Sequence, residues 1–160
     1  MLAMTHATAP LAQQHLADED SSLWAHARAL LPAAAAGGLT AALVNRHFCV
    51  LTDAPDTPDA RLFDAAAAGV GARVTHLSAD LAVRGEGAAG TGALLARLYD
   101  AIECQGRATE HVLDIAQTTS IPVFTSLAGS ARSRSGSADR PGSSADALLL
   151  LQACLVAVFR

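Results

Sequence analysis

Residues Leu43 to Gly71, LVNRHFCVLTDAPDTPDARLFDAAAAGVG, constrain the fold of this chain more than any other stretch. They read as a buried strand, a tight polar loop and an amphipathic helix closed by glycine. His47 to Thr52 is a short apolar, β-rich run, which suits an inner strand of a parallel sheet better than a solvated edge. Thr57, Pro58 and Asp59 then spell a helix start, with Thr57 as N-cap, Pro58 at the first helical position and Asp59 complementing the helix dipole. A helix N-terminus at the carboxyl end of a parallel strand is the usual anion site of an open α/β sheet. Here that place is acidic. Asp53, Asp56 and Asp59 surround it and the loop holds no Lys or Arg before Arg61, so a phosphate meets like charge worth roughly 4 kcal/mol per close pair at an effective dielectric of about 20.

A length of 160 residues with 51% hydrophobic side chains suits one compact domain with its own core, expected over residues 21–160 behind a loosely packed tail at 1–20. The net charge of −4 argues against nucleic acid or an anionic membrane surface as partner. The longest apolar run is too short to span a bilayer, and the N-terminus lacks a signal-peptide pattern, so a cytoplasmic location is the expectation. All eleven basic residues are arginine, which together with abundant alanine reads as a compositional bias of a GC-rich bacterial genome. Cys49, Cys104 and Cys154 are odd in number and lie in apolar settings, which reads as reduced core thiols.

Along the chain, Ser21 or Ser22 caps a helix whose Leu23, Trp24, Ala27, Leu30 and Leu31 form one apolar stripe, with Pro32 ending it or starting the next segment. Ser78 to Gly92 is glycine-rich and reads as a flexible surface loop, since it lacks the context of a phosphate cradle. Leu94, Leu95 and Leu98 continue a helix into Tyr99 to Gly106, a further helix runs through His111, Val112, Ile115 and Ala116, and Ile121 to Phe124 is a short fourth strand. Ala128 to Ser144 is rich in Ser, Gly and Arg and reads as a mobile loop. Ala145 to Phe159 is then a helix apolar nearly all round, and such a helix must be buried. His47 and His76 sit on strands as satisfied rim groups, while His6, His15, His26 and His111 share no metal-ligand spacing. Ser126, Ser130, Ser133 and Ser135 sit in no hydrolase order with His and Asp. No catalytic set, metal site or cofactor is expected. The Asp53, Asp56, Asp59 and Asp64 group reads either as solvated carboxylates around a helix start or as a holder for a cation or amine.

Several of these stretches resemble the carbamoyl-phosphate domain of the ornithine and aspartate carbamoyltransferases. Leu43, Asp53, Thr57, Phe63-Asp64-Ala65-Ala66-Ala67 and Val70-Gly71-Ala72 follow the family's strand, loop and helix without a gap. Tyr99-Asp100-Ala101-Ile102-Glu103-Cys104-Gln105-Gly106 follows its Tyr-Asp-Gly-Ile-x-x-Arg-Gly, and Pro122-Val123-Phe124 to Leu127 follows its Val-Pro-Val-Phe-Asn-Gly-Leu. Glu86 and Thr91 match a loop that reaches a neighbouring subunit's active site in the family's trimers. The resemblance implies an open, mostly parallel four-stranded α/β sheet with helices on both faces, and it implies that the family's second, amino-acid-binding domain is absent from this sequence. The family's phosphate-binding Ser-Thr-Arg-Thr-Arg falls on Asp56-Thr57-Pro58-Asp59-Ala60, its phosphate-binding arginine on Gln105, and its His-Pro-x-Gln on Arg140-Pro141-Gly142-Ser143. Only Thr57 and Pro141 are kept.

The resemblance therefore implies a catalytically inert relative that binds another protein or a different ligand. Two alternatives stay open: a carbamoyl-phosphate-binding part completed by a partner chain, such as another carbamoyltransferase chain, and a binder of small cations using the acidic loop. If the fold is kept, Arg140 is expected to reach Asp56 and Asp59 and fill the old phosphate site from within. The apolar closing helix, with Leu148 to Leu151, Leu155, Val156, Val158 and Phe159, calls for self-association, a homotrimer first and a dimer second.

Overall fold

The computed structural model describes residues 21–82, 87–136 and 139–160. The expected tail at 1–20 and Glu86 lie outside the described residues. Four strands, β1 (His47–Leu51), β2 (Arg73–Leu77), β3 (Ala101–Cys104) and β4 (Val123–Thr125), form one all-parallel sheet in the order β2-β1-β3-β4. Six helices are described: α1 (Ser21–Ala35), α2 (Pro58–Gly69), α3 (Gly87–Leu98), α4 (Val112–Gln117), α5 (Leu127–Ser135) and α6 (Ser144–Val158). Short 3₁₀ turns at Ala79–Ala82 and Gly106–His111 complete the connections after β2 and β3.

Strand alternation divides the core into two layers, because successive side chains point to opposite faces of a sheet. Phe48, Val50, Ala101 and Phe124 join a core with α1, α2, α5 and α6. Cys49, Leu51, Ile102, Cys104 and Val123 join the other with α3, α4 and the 3₁₀ turns. The expected α/β sheet with helices on both faces is thus the architecture observed.

Four local expectations change. Pro32 lies inside α1, which continues to Ala35. A proline in a helix interior costs about 3 kcal/mol, and burial of Leu23, Trp24, Ala27 and Ala34 in the core offsets it. Tyr99 to Gly106 is not a helical continuation: α3 stops at Leu98 and residues Ala101–Cys104 are β3, because this run is buried on both faces. The glycine-rich loop is shorter than its composition suggests, since α3 already begins at Gly87 and includes Thr91. The Ser/Gly/Arg-rich loop is largely helix α5. Its polar composition hides a stripe of Leu127, Ala128 and Ala131, all buried at the spacing of one helix face.

The closing helix α6 is covered within the chain. Ala147, Leu150, Leu151, Ala153, Cys154, Leu155 and Val156 are buried and Leu148, Leu149, Val158 and Phe159 are partly buried against the same core, so α1, α2 and α5 supply what a sheet face alone could not. Self-association is therefore not required by this helix. Ser143 caps it with a capping box, its Oγ accepting from Asp146 N at 3.1 Å while its N–H donates to Asp146 Oδ2 at 3.0 Å. No helix among the described residues is long and apolar enough to cross a membrane.

Candidate functional site

The strand order reverses between β1 and β3. After β1 the chain passes to the α2 face, and after β3 it passes to the α4 face, so the two loops diverge and leave a crevice at their carboxyl ends, the usual ligand position in open α/β sheets. One wall is Thr52 to Ala60. Thr52 is buried and its Oγ1 accepts from Ala54 N at 3.1 Å, which tightens the loop. Thr57 caps α2 as its sequence predicts: its Oγ1 accepts from the N–H of buried Ala60 at 3.2 Å, and Pro58 opens the helix.

The opposite wall, Gln105 to Arg107, supplies a residue that the motif comparison passed over. Arg107 donates to Asp53 Oδ2 from Nε at 3.0 Å and from Nη2 at 2.7 Å, and Nη2 also donates to Asp80 after β2. Asp53 additionally accepts from Ser78 Oγ at 3.1 Å and Ala79 N at 3.0 Å. The Arg107 guanidinium is the chief cause that holds the Asp53 carboxyl below the usual range, and Asp53 in turn raises Arg107. The loops after β1, β2 and β3 are thereby tied by one fork.

Beneath this rim lies Glu103 on β3, with 0% of its surface exposed. Gln105, 4% exposed, donates its Nε2 to Glu103 Oε1 at 3.2 Å. The backbone N–H groups of Leu127 and Ala128, at the start of α5, also bond to the Glu103 carboxyl. Ser126, in the left-handed region at φ 50°, turns the chain from β4 into this helix start. Burial outweighs these donors and pushes the Glu103 carboxyl up to about 8, with the nearby Asp59 charge adding to the rise. Glu103 Oε2 and Gln105 Oε1 have no hydrogen-bond partner. Both unmatched atoms are acceptors, so a proton retained by Glu103 turns one of them into a donor. A sequence signal for Glu103 existed: in a four-residue strand covered on both faces, no position is left for a solvated glutamate.

The sequence-selected positions separate into two groups. Asp59 is ion-paired with Arg132 of α5, without hydrogen-bond alignment at its Oδ1, and Asp56 Oδ1, on a side chain 93% exposed, stands 3.9 Å from Arg61 Nη2. Gly129 lets α5 approach, since a Cβ there would stand 3.2 Å from Asp59 Oδ2. Thr57, Pro58, Asp59, Ala60, Glu103 and Gln105 thus belong to one neighbourhood. Ser143 is committed to capping α6, and Arg140 lines a different cavity with Arg28 and Arg134. The guanidinium that meets Asp59 is therefore Arg132, not Arg140. The reason is the unforeseen helix α5, which places Arg132 over α2. Asp64 leaves the acidic group altogether and pairs with His76 at 2.8 Å. His47 Nε2 lies 2.8 Å from Thr75 Oγ1, so both strand histidines have partners. Cys49, Cys104 and Cys154 are free thiols buried in the core, and burial pushes Cys49 and Cys154 up to about 12. Among the described residues no group of His, Cys, Asp and Glu could hold a metal ion.

No family model matches the chain, and no curated relative does. Solved structures do. The ornithine carbamoyltransferase of Pyrococcus furiosus superposes with a TM-score of 0.60 at 22% identity, over 77% of this chain and 42% of that one. The chain shares the carbamoyltransferase fold. The ornithine carbamoyltransferase of Burkholderia thailandensis gives a TM-score of 0.58 at 16% identity over 72% of this chain and 43% of its own length. The aspartate transcarbamoylase of Trypanosoma cruzi, solved in complex with phosphate, gives 0.56 at 17% identity over 78% and 42%. The chain thus spans under half the length of these carbamoyltransferases. Identities at this level carry the fold, while the activity has to be argued from the site.

Proposed function

We propose that this chain is a carbamoyltransferase-like domain that does not transfer carbamoyl groups and serves to bind a different ligand or another protein. One observation carries the reading: among the described residues of the switch-point crevice, the guanidinium groups of Arg107 and Arg132 are ion-paired with carboxylates of the protein itself, and Arg61 lies on the exposed rim near Asp56. Arg107 is shared between Asp53 and Asp80, Arg132 meets Asp59, and Arg61 faces Asp56. Carbamoyl transfer depends on positive donors aimed at phosphate and carbonyl oxygens, and losing one such donor costs about two to three orders of magnitude. At the positions that correspond to the family's phosphate site, Asp56, Pro58, Asp59, Ala60 and Gln105 supply no charged donor. What remains is the Thr57 hydroxyl, already accepting from Ala60, beside carboxylates that repel a phosphate.

The same reading takes residues 21–160 as one domain corresponding to the carbamoyl-phosphate half, working in the cytoplasm. A homotrimer follows from the family resemblance, with exposed Leu94, Leu98 and Leu113 on α3 and α4 as the apolar groups available for it. The decisive experiment is direct. Assays for citrulline and carbamoylaspartate formation are expected to read background. Micromolar binding of carbamoyl phosphate that disappears in Thr57→Val would place the ligand in the crevice and overturn the proposal.

A further inference from the structure

A second concave site lies away from the crevice, on the α1, α5 and α6 side of the sheet. Arg28 of α1, Arg134 at the end of α5 and Arg140 before α6 line a cavity of about 400 Å³. Leu31, Leu149 and Leu150 form its apolar wall. Of the positions selected by comparison with the carbamoyltransferase motifs, only Arg140, Pro141 and Gly142 reach it, and Thr57, Asp59 and Gln105 do not.

The arginines are held there by a built neck of chain. A Cβ on Gly142 would stand 2.6 Å from Gly136 N, and one on Gly136 would stand 2.7 Å from Gly142 N. Two backbones cross at that distance only where both residues are glycine. The crossing fixes the segment carrying Arg134 against the segment carrying Arg140. Arg134 is held further, its guanidinium carbon lying 5.1 Å from the centre of the buried Trp24 ring. The carboxylate on the lining is Asp146, which accepts from Ser143 N at 3.0 Å and from Ser143 Oγ at 2.8 Å. Those bonds, led by the Ser143 backbone N–H and helped by the charge of Arg140, keep it ionised, and the described lining residues include three arginines and this one carboxylate.

We propose that this cavity binds a small organic anion, with a carboxylate or phosphate-ester head on the arginines and a short hydrocarbon body on Leu31, Leu149 and Leu150. Guanidinium groups fork onto the oxygens of either head, and charge-assisted bonds of this kind are the strong ones. The apolar wall excludes a fully hydrated ion as the preferred occupant, because it offers such an ion nothing in exchange for its water. The site does not depend on the reading of the crevice: an inert crevice and an active one leave it unchanged.

The test uses the full chain at low ionic strength with succinate, glycerol phosphate and inorganic phosphate as probes. Trp24 is the single tryptophan and reports through Arg134; calorimetry runs beside its fluorescence. Saturable binding of succinate or of glycerol phosphate is expected, and whichever binds tighter identifies the head group. Affinity is expected to fall by about ten-fold or more in Arg28→Gln and in Arg140→Gln, one charge-assisted contact each. Both side chains belong to exposed residues, so the variants should fold, and Arg97→Gln on α3 should bind as the parent does. Three results would overturn the proposal: no heat and no fluorescence change with either organic anion, equal weakening in Arg97→Gln, or inorganic phosphate binding as tightly as both organic anions.

Discussion

The switch-point crevice and the arginine-lined cavity are made of the same two residue types in opposite proportion. In the crevice, Asp53, Asp56, Asp59 and Asp80 meet Arg61, Arg107 and Arg132, with buried Glu103 below. In the cavity, Arg28, Arg134 and Arg140 meet Asp146, whose oxygen is already tied to Ser143. Helix α5 separates the two. It gives Arg132 to Asp59 on one side and Arg134 to Trp24 and the cavity on the other. Residues two apart on a helix do not face each other, so one short basic segment serves opposite surfaces. The difference teaches that charge composition of a segment says little until its helical phase is known: Arg-Ser-Arg neutralises an acidic site and builds a basic one at once.

The largest effect expected from breaking this comparison lies under the crevice. Glu103 has its folded pKa raised from 4.5 to about 8. Between those values the native state keeps a proton that the unfolded chain has lost, so stability is highest at the acidic end and falls as pH rises, levelling off above about 8. For a group titrating alone the whole fall has an upper bound on the order of 5 kcal/mol. Glu103→Gln is expected to flatten this slope, with more resistance to urea than the parent at pH 9 and little difference at pH 5. Parallel pH curves for parent and variant would show that Glu103 is not held protonated.

A smaller change would sharpen the other side. Gly142→Ala puts a Cβ against the backbone of Ser135 and Gly136, both at 2.6 Å, and backbone cannot rotate away. The expected loss is about 1 to 3 kcal/mol, the usual cost of overpacking. It should come with weaker anion binding in the cavity and an unchanged Asp53 titration in the crevice. An unaltered melting curve would mean that the neck is not a tight crossing.

The smallest effect is expected from Arg107→Gln. Arg107 is about half exposed and its carboxylate partners only somewhat less, and pairs of that kind contribute little to stability. The readout is instead the carboxyl of Asp53, which should move back up toward the ordinary range when followed by carbon NMR. In the parent, this depressed pKa adds stability that is present above the ordinary carboxylate range and is lost as pH falls through the Asp53 value. The variant should lose less stability in acid. If Asp53 titrates identically in both proteins, the fork across the crevice does not form.

The sequence by itself determined the frame of this protein. The continuous apolar run His47 to Thr52, the Thr57-Pro58-Asp59 start and the closing glycine specify β1, α2 and the turn that follows, because capping and strand propensity are local and need no partner. Thr57 and Pro58 stand where that reading puts them. The four-stranded parallel sheet was implied by the resemblance, while β3, inside a run that reads as helix, was decided by its burial on both faces. Other features were decided only by tertiary structure. Helix α5 exists because Leu127, Ala128 and Ala131 find a buried face and its first N–H groups find Glu103, neither of which a Ser/Gly/Arg-rich stretch advertises. Coverage of α6 by α1, α2 and α5 is likewise a matter of packing geometry. The choice of Arg132 over Arg140 as the partner of Asp59 depends on which guanidinium the helix phase brings within reach. Charge pairing acts over a few ångströms in space, and distance along the chain carries no information about it until the fold has closed.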